Sequence, residues 1–229
     1  MLSLASPLQR ASGLIALSLA VVLSGAILLA RADLDRLERI ALNRYGPDTA
    51  QVVSHWRAML KDIRPLGDLQ KIQRVNTYFN NLARWRQDID IWQQDDYWAT
   101  PLELMAKREG DCEDFSIAKY MTLLLAGVDV GKMRITYVKA RLGGVTGTTT
   151  QAHMVLAYYP TPNADPLILD NMISEVRPAS RREDLKPVFG FNSEGLWVGG
   201  ASAPSIRNPA ARLSRWRDLL QRMAADGLG

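Results

Sequence analysis

The residue types with most chemistry in them sit at Gly110-Asp111-Cys112-Glu113-Asp114-Phe115, around the chain's single cysteine. After it, Phe115, Ile117, Ala118, Met121 and Leu125 recur at helical spacing, which places Cys112 in the first turn of a helix. Unsatisfied N–H groups and the positive end of the helix dipole favour a thiolate there, so the sulfur is placed to act as a nucleophile. A nucleophilic thiol needs a base, and the chain has two histidines, His55 and His153. His55 falls on a polar-rich helix without an acidic companion and reads as a surface residue. His153 opens an apolar strand pattern with Met154 and Leu156 behind it. A carboxylate on the second ring nitrogen would fix the tautomer and steady the imidazolium, and Asp170, after Leu167-Ile168-Leu169, suits that role. Together Cys112, His153 and Asp170 would support nucleophilic acyl chemistry. Spacing alone leaves plainer alternatives open: an inert buried thiol, a satisfied sheet histidine and a turn-forming aspartate.

The flanking acids need their own explanation, because carboxylates beside a thiol raise its pKa and oppose activation. A hard cation would offset them. Calcium takes ~6 to 8 oxygen ligands, for which Asp111 and Glu113 are suitable, with Asp96 a further donor from the preceding loop. Read plainly, Asp111, Glu113 and Asp114 are instead capping acids of a first helical turn. An oxyanion would take the backbone N–H of Cys112 first. Trp98 is a candidate neighbour for a second donor, although it equally suits a core aromatic, and Tyr97 and Trp92 are no less ambiguous.

The elements that must position these groups follow from periodicity. Asp33 to Asn43 places Leu34, Leu37, Ile40 and Ala41 on one helical face, stopped by Gly46-Pro47, and a second helix runs through His55 and Trp56. Leu69, Ile72, Val75, Phe79 and Leu82 mark a third helix between Asp68 and Trp85. Thr100-Pro101-Leu102-Glu103 has the form of a capping box, opening a short helix that Gly110 ends. From Met133 the period changes to two, with Ile135 and Tyr137 on the same face. Strands are expected there, from His153 to Tyr159, and from Pro166 to Leu169. A flexible hairpin loop joins the first two strands from Gly143 to Thr150, and Pro160 to Asp165 turn the chain between the second and third. Beyond Asp170 the pattern reads as Pro-rich connections, a glycine-rich stretch near Gly199, and a last helix from about Ala210 to Met223. The fold class is α+β, a helical layer packed on an antiparallel sheet.

The 229 residues, 47% apolar and 23% charged, suit one globular domain. Arg10, the apolar stretch from Leu14 to Leu29 and Ala30-Arg31-Ala32 have the three-part form of an export signal over residues 1–32. The domain then occupies residues 33–229. The competing reading is a retained membrane anchor, for which the stretch falls slightly short of the ~18 to 20 residues a span needs. Loss of Arg10 and Arg31 would lower the formal charge from +4 to +2. That is too little to argue for nucleic acid, and no basic stripe interleaved with aromatics appears. Short runs such as Arg181-Arg182 read as ordinary solvated surface. An exported chain with one cysteine has no internal disulfide.

Asp96-Tyr97-Trp98-Ala99-Thr100-Pro101, the acidic segment around Cys112, Ala152-His153-Met154-Val155-Leu156 and Leu169-Asp170-Asn171 together resemble the bacterial transglutaminase-like cysteine peptidases, and more narrowly the LapG group of periplasmic proteases. The likeness runs from about Asp33 to Trp197. It implies a papain-like or transglutaminase-like fold and peptide hydrolysis by Cys112, with His153 as base then acid and Asp170 orienting it. It further implies calcium held by the acids on either side of the cysteine. The implied substrate is the N-terminal region of a very large surface adhesin, cut near paired alanines to release a biofilm. The implied partner is the periplasmic domain of an inner-membrane receptor that senses cyclic di-GMP. Two other functions fit the same residues: acyl transfer to an amine, because a thioester can be taken by amine or water, and a calcium-dependent binding module that leaves the thiol unused.

Overall fold

The computed structural model describes residues 32–143, 147–199, 201 and 203–229. The expected export segment, apart from Ala32, and the centre of the expected hairpin loop lie outside the described residues.

Seven α-helices lie among the described residues: α1 (Leu34–Tyr45), α2 (Pro47–Ile63), α3 (Asp68–Leu82), α4 (Asp88–Trp92), α5 (Pro101–Lys107), α6 (Cys112–Leu125) and α7 (Ser214–Asp226). Two short strands, β1 (Arg84–Trp85) and β2 (Glu109–Gly110), pair in parallel beside them. The main sheet contains β3 (Met133–Arg141), β4 (Thr150–Tyr158), β5 (Leu167–Leu169), β6 (Arg177–Pro178), β7 (Leu185–Phe191), β8 (Gly195–Val198) and β9 (Ile206–Arg207). It is antiparallel throughout, in the order β6-β5-β4-β3-β7-β8-β9. The helical layer on an antiparallel sheet is the expected α+β architecture. Among the described residues no helix is long and apolar enough to cross a membrane.

Helix α6 is the axis of the core. Every residue from Glu113 to Leu125 is buried, so it lies between the other helices and the sheet rather than on a surface. Trp56 of α2 donates its indole N–H to Thr122 at 3.0 Å, satisfying a polar atom that full burial would otherwise strand. Ser116 reaches the other way, donating at 3.1 Å to the Met154 carbonyl of β4. Trp56 and Phe79 are fully buried, and truncating either to alanine should destabilise the fold by about 3–5 kcal/mol.

Several boundaries differ from expectation for identifiable reasons. Helix α3 stops at Leu82 because the chain turns extended at Ala83 and pairs as β1. Helix α5 has the expected capping box, Thr100 with Glu103, but ends at Lys107, where Arg108 adopts a left-handed φ of 53°. Gly110, expected to terminate it, lies instead in β2, where a Cβ would come within 2.7 Å of both Asp114 Oδ2 and Leu104 Cδ1. Strand β4 begins at Thr150, so His153 is its fourth residue rather than its first. The segment after Asp170, read as connections, supplies β6 to β9. Pro187 masked β7: it faces Val138 where the β3–β7 register shifts, an irregularity where its missing N–H is tolerated.

Candidate active site

Cys112 is the first residue of α6, with Asp111 at the N-cap position. Asp114 fixes this helix start from behind: it accepts from the Asp111 N–H at 3.3 Å and from the Ala99 N–H at 2.7 Å. The second bond ties the loop that begins α5 to the first turn of α6. Opposite lies β4, carrying Ala152, His153 and Met154. These three, with Cys112, Asp111, Glu113, Asp96, Trp98 and Tyr137, line one cleft of about 550 Å³. The N-terminal end of α7, at Leu213 to Arg215, forms its far side.

His153 is 3% exposed, and its Nε2 lies 2.8 Å from Asp170 Oδ1. Asp170 follows β5, which pairs with β4 so that Leu169 faces Leu156. Adjacent antiparallel strands thus bring together residues 17 apart in sequence. Burial acts to raise the Asp170 pKa, but the bond to His153, the Met172 N–H and nearby Arg182 hold it down at about 2. The carboxylate is therefore ionised at neutral pH. It holds the proton on Nε2 and leaves Nδ1 as the basic nitrogen.

On the sulfur side the electrostatics run the other way. The Cys112 thiol is pushed far up by burial and by Glu113 and Asp111, and the Met154 N–H bonding to the sulfur acts only weakly against this. The thiol donates to Glu113 Oε2 at 3.0 Å. Burial raises Asp111 well above the usual carboxylate range, reinforced by Glu113, Asp114 and Asp88. Asp114 is likewise raised by burial, and Asp88 is raised to about 6. Asp88, a residue the sequence did not single out, joins Asp111 and Asp114 with ligand atoms within 4.8 Å of one another. Asp111, Cys112 and Glu113 form a second such group. Asp111 Oδ1 and Asp88 Oδ1 are buried without a hydrogen-bond partner. Converging oxygen donors with orphaned lone pairs and mutual repulsion fit a hard divalent cation, which would supply the positive charge this cluster lacks.

Asp96, the third expected ligand, lines the same cleft but stands outside both groups. Its carboxylate pairs with Arg215 at 2.9 Å and accepts from the Trp98 indole N–H at 2.9 Å. Trp98 is both core and cleft wall: it is 8% exposed and stacks on Phe191 at 5.6 Å. With its N–H committed to Asp96, the Cys112 backbone N–H remains the natural oxyanion donor. Tyr97 donates to Glu103 and packs its ring at a tilt against Trp92, so both brace the loop outside this cleft. His55 is exposed, as expected. Arg182, read from sequence as solvated surface, is instead 4% exposed, with Nη2 at 2.8 Å from Asp170 Oδ2. Nothing in its local sequence separates it from the exposed Arg181 beside it.

Comparison with known proteins agrees with this geometry. The profile of the bacterial transglutaminase-like cysteine proteinases matches residues 56–184, a span holding Cys112, His153, Asp170 and Arg182. Calcium-bound LapG of Legionella pneumophila is similar at 36% identity and a TM-score of 0.71, over 83% of this chain and 99% of that one. The EGTA-treated form of the same protein is similar at 37% identity and a TM-score of 0.71, over 83% and 97% respectively. Comparison with curated proteins finds no match. The fold, the helix-start cysteine and the span of the match together show that this chain belongs to the bacterial transglutaminase-like cysteine proteinases.

Proposed function

We propose that the protein is a calcium-dependent cysteine endopeptidase that uses Cys112 as nucleophile, His153 as general base and then acid, and Asp170 to orient the histidine. The observation that carries this reading is the shared cleft: Cys112 and His153 line one cavity, with the ring anchored to an ionised Asp170 at 2.8 Å. His153 Nδ1 takes the thiol proton as the sulfur attacks the scissile carbonyl, and the Cys112 N–H bonds to the developing oxyanion. Collapse expels the amine, which receives its proton from the imidazolium. Water, deprotonated by the same nitrogen, then hydrolyses the thioester.

Calcium is the cation we assign to the acid cluster, through Asp111 and Glu113, with Asp88 and Asp114 contributing charge and Asp96 at the cleft edge. Support comes from the orphaned oxygens and from the calcium-bound and EGTA-treated states of the similar Legionella LapG. Bound there, the cation would neutralise carboxylates that hold Cys112 in its thiol form. The same likeness, with the signal-like pattern of residues 1–32, supports a periplasmic enzyme acting on the N-terminal region of a large surface adhesin and so governing biofilm release. The periplasmic domain of an inner-membrane cyclic di-GMP receptor would be its controlling partner.

The test is incubation with N-terminal adhesin fragments from the same cell, comparing wild type with Cys112→Ala. Cleavage by wild type and a loss exceeding about 10⁴-fold in the variant are expected. Equal cleavage by both would remove Cys112 from the chemistry. Slow iodoacetamide labelling at mildly acidic pH, even with calcium present, would point to a binding module with an idle thiol. A labelled amine incorporated without cleavage would point to acyl transfer.

A further inference from the structure

We propose that Arg182 is a positioning residue for His153, acting through Asp170. This inference rests on the catalytic roles assigned above to His153 and Asp170. Arg182 is almost wholly buried, and its guanidinium is divided between two acids. Nη2 lies 2.8 Å from Asp170 Oδ2 and 2.8 Å from Asp184 Oδ2, and Nε donates to Asp184 Oδ1 at 3.0 Å. Removing a guanidinium from water is costly unless such partners are fixed in place, and here they are. The Arg182 N–H donates to the Ala179 carbonyl at 2.9 Å, and the Leu185 N–H donates to the Arg182 carbonyl at 2.9 Å. The Asp184 carbonyl accepts from the Arg141 N–H at the end of β3, at 2.8 Å.

The consequence falls on Asp170, whose two oxygens take different partners. Oδ1 faces His153 Nε2 and accepts the Met172 N–H at 3.0 Å, while Oδ2 faces Arg182. The Asp170 backbone carbonyl is held as well, by Asn80 Nδ2 at 2.8 Å. A carboxylate hydrogen-bonded at Oδ1 and ion-paired with the guanidinium at Oδ2 is held against rotation, so the ring it holds keeps one tautomer and one orientation. A planar fork bridging two carboxylates is a task for arginine rather than lysine. The other cation near Asp170, Lys119 of α6, is buried over the Phe115 ring and makes no ion pair among the described residues, so it does not fill this role.

Arg182→Met and Arg182→Lys, each compared with wild type, test the proposal. In the methionine variant kcat should fall about 10- to 100-fold, the scale typical of losing an outer partner of a functional histidine, with KM changed by less than about twofold. The lysine variant should recover part of kcat. The second readout needs no substrate: ¹⁵N ring signals of His153, separated from the other histidine by a His55→Gln background. Wild type should show protonated Nε2 alone, whereas Arg182→Met should show a mixture of tautomers. Wild-type kcat with a single tautomer in the methionine variant overturns the proposal. If that variant does not fold, Arg182→Gln is judged by the same two outcomes. A wild-type protein inert toward both adhesin fragments and iodoacetamide would sink the functional reading, while the ring signals would still decide the role of Arg182.

Discussion

On the histidine side of the cleft, Asp170 lies between an imidazole and a buried guanidinium, each at 2.8 Å, and stays ionised despite burial. On the sulfur side, Asp111 and Glu113 flank Cys112 while Asp88 and Asp114 crowd Asp111, with the Oδ1 atoms of Asp88 and Asp111 buried without hydrogen-bond partners and the thiol driven up. Both regions are buried and rich in carboxylates. They differ in where the compensating charge comes from: Arg182 supplies it to Asp170, whereas Asp88, Asp111, Glu113 and Asp114 make no ion pair among the described residues. In the proposed mechanism the base is assembled by folding alone, whereas the nucleophile depends on a bound cation.

Asp170→Asn should break the self-sufficient half. The amide NH2 can donate to Nε2, which moves the ring proton to Nδ1, so the correct tautomer is lost and kcat should fall by about 10³- to 10⁴-fold in cleavage assays. Added calcium should not restore it, and recovery with calcium would merge the two halves into one system. Chelation tests the other half. Activity should fall by about 100-fold or more in excess chelator and return with calcium, while His153 keeps its protonated Nε2 in both states. Full activity in chelator would remove the cation from the mechanism. Asp111→Asn should weaken the calcium requirement's affinity without changing the ring signals.

Smaller effects should appear in stability. Calcium at about 100 times its Kd should raise Tm by about 5 to 10 °C, and Asp111→Asn should reduce that shift. In chelator the raised pKa values of Asp88 and Asp111 mean that the folded state binds protons more tightly than the unfolded one. Stability should therefore rise as pH falls toward about 4, and be lost as pH rises through about 6 for Asp88 and higher for Asp111. Calcium should flatten this trend by replacing the protons. Asp170, with its depressed pKa, acts oppositely: its contribution is present above about pH 4 and lost as pH falls through about 2. Thermal melts across pH, with and without calcium, separate the two, and a flat profile in chelator would argue against a strained acid cluster.

What was legible in the linear order of residues is what depends on neighbours along the chain. The Thr100–Glu103 capping box, the helix start at Cys112, the periodic faces of α1 to α3 and the change to period two at Met133 are local signals, set by backbone hydrogen bonding and side-chain spacing. They marked Cys112, His153 and Asp170 as candidates beside plainer alternatives, which the family resemblance then weighed against, and they placed acids next to the cysteine. Tertiary structure alone decided what depends on long-range approach. Pairing of β4 with β5 set the His153–Asp170 contact, and pairing of β1 with β2, continued by the Arg86 N–H to the Gly110 carbonyl at 2.9 Å, brought Asp88 to Asp111. Burial of Arg182, but not Arg181, followed from the turn into β7. Burial and cross-strand register are properties of the assembled molecule: identical residue types carry different charge and reach different partners according to what surrounds them, and the linear order of residues does not record those surroundings.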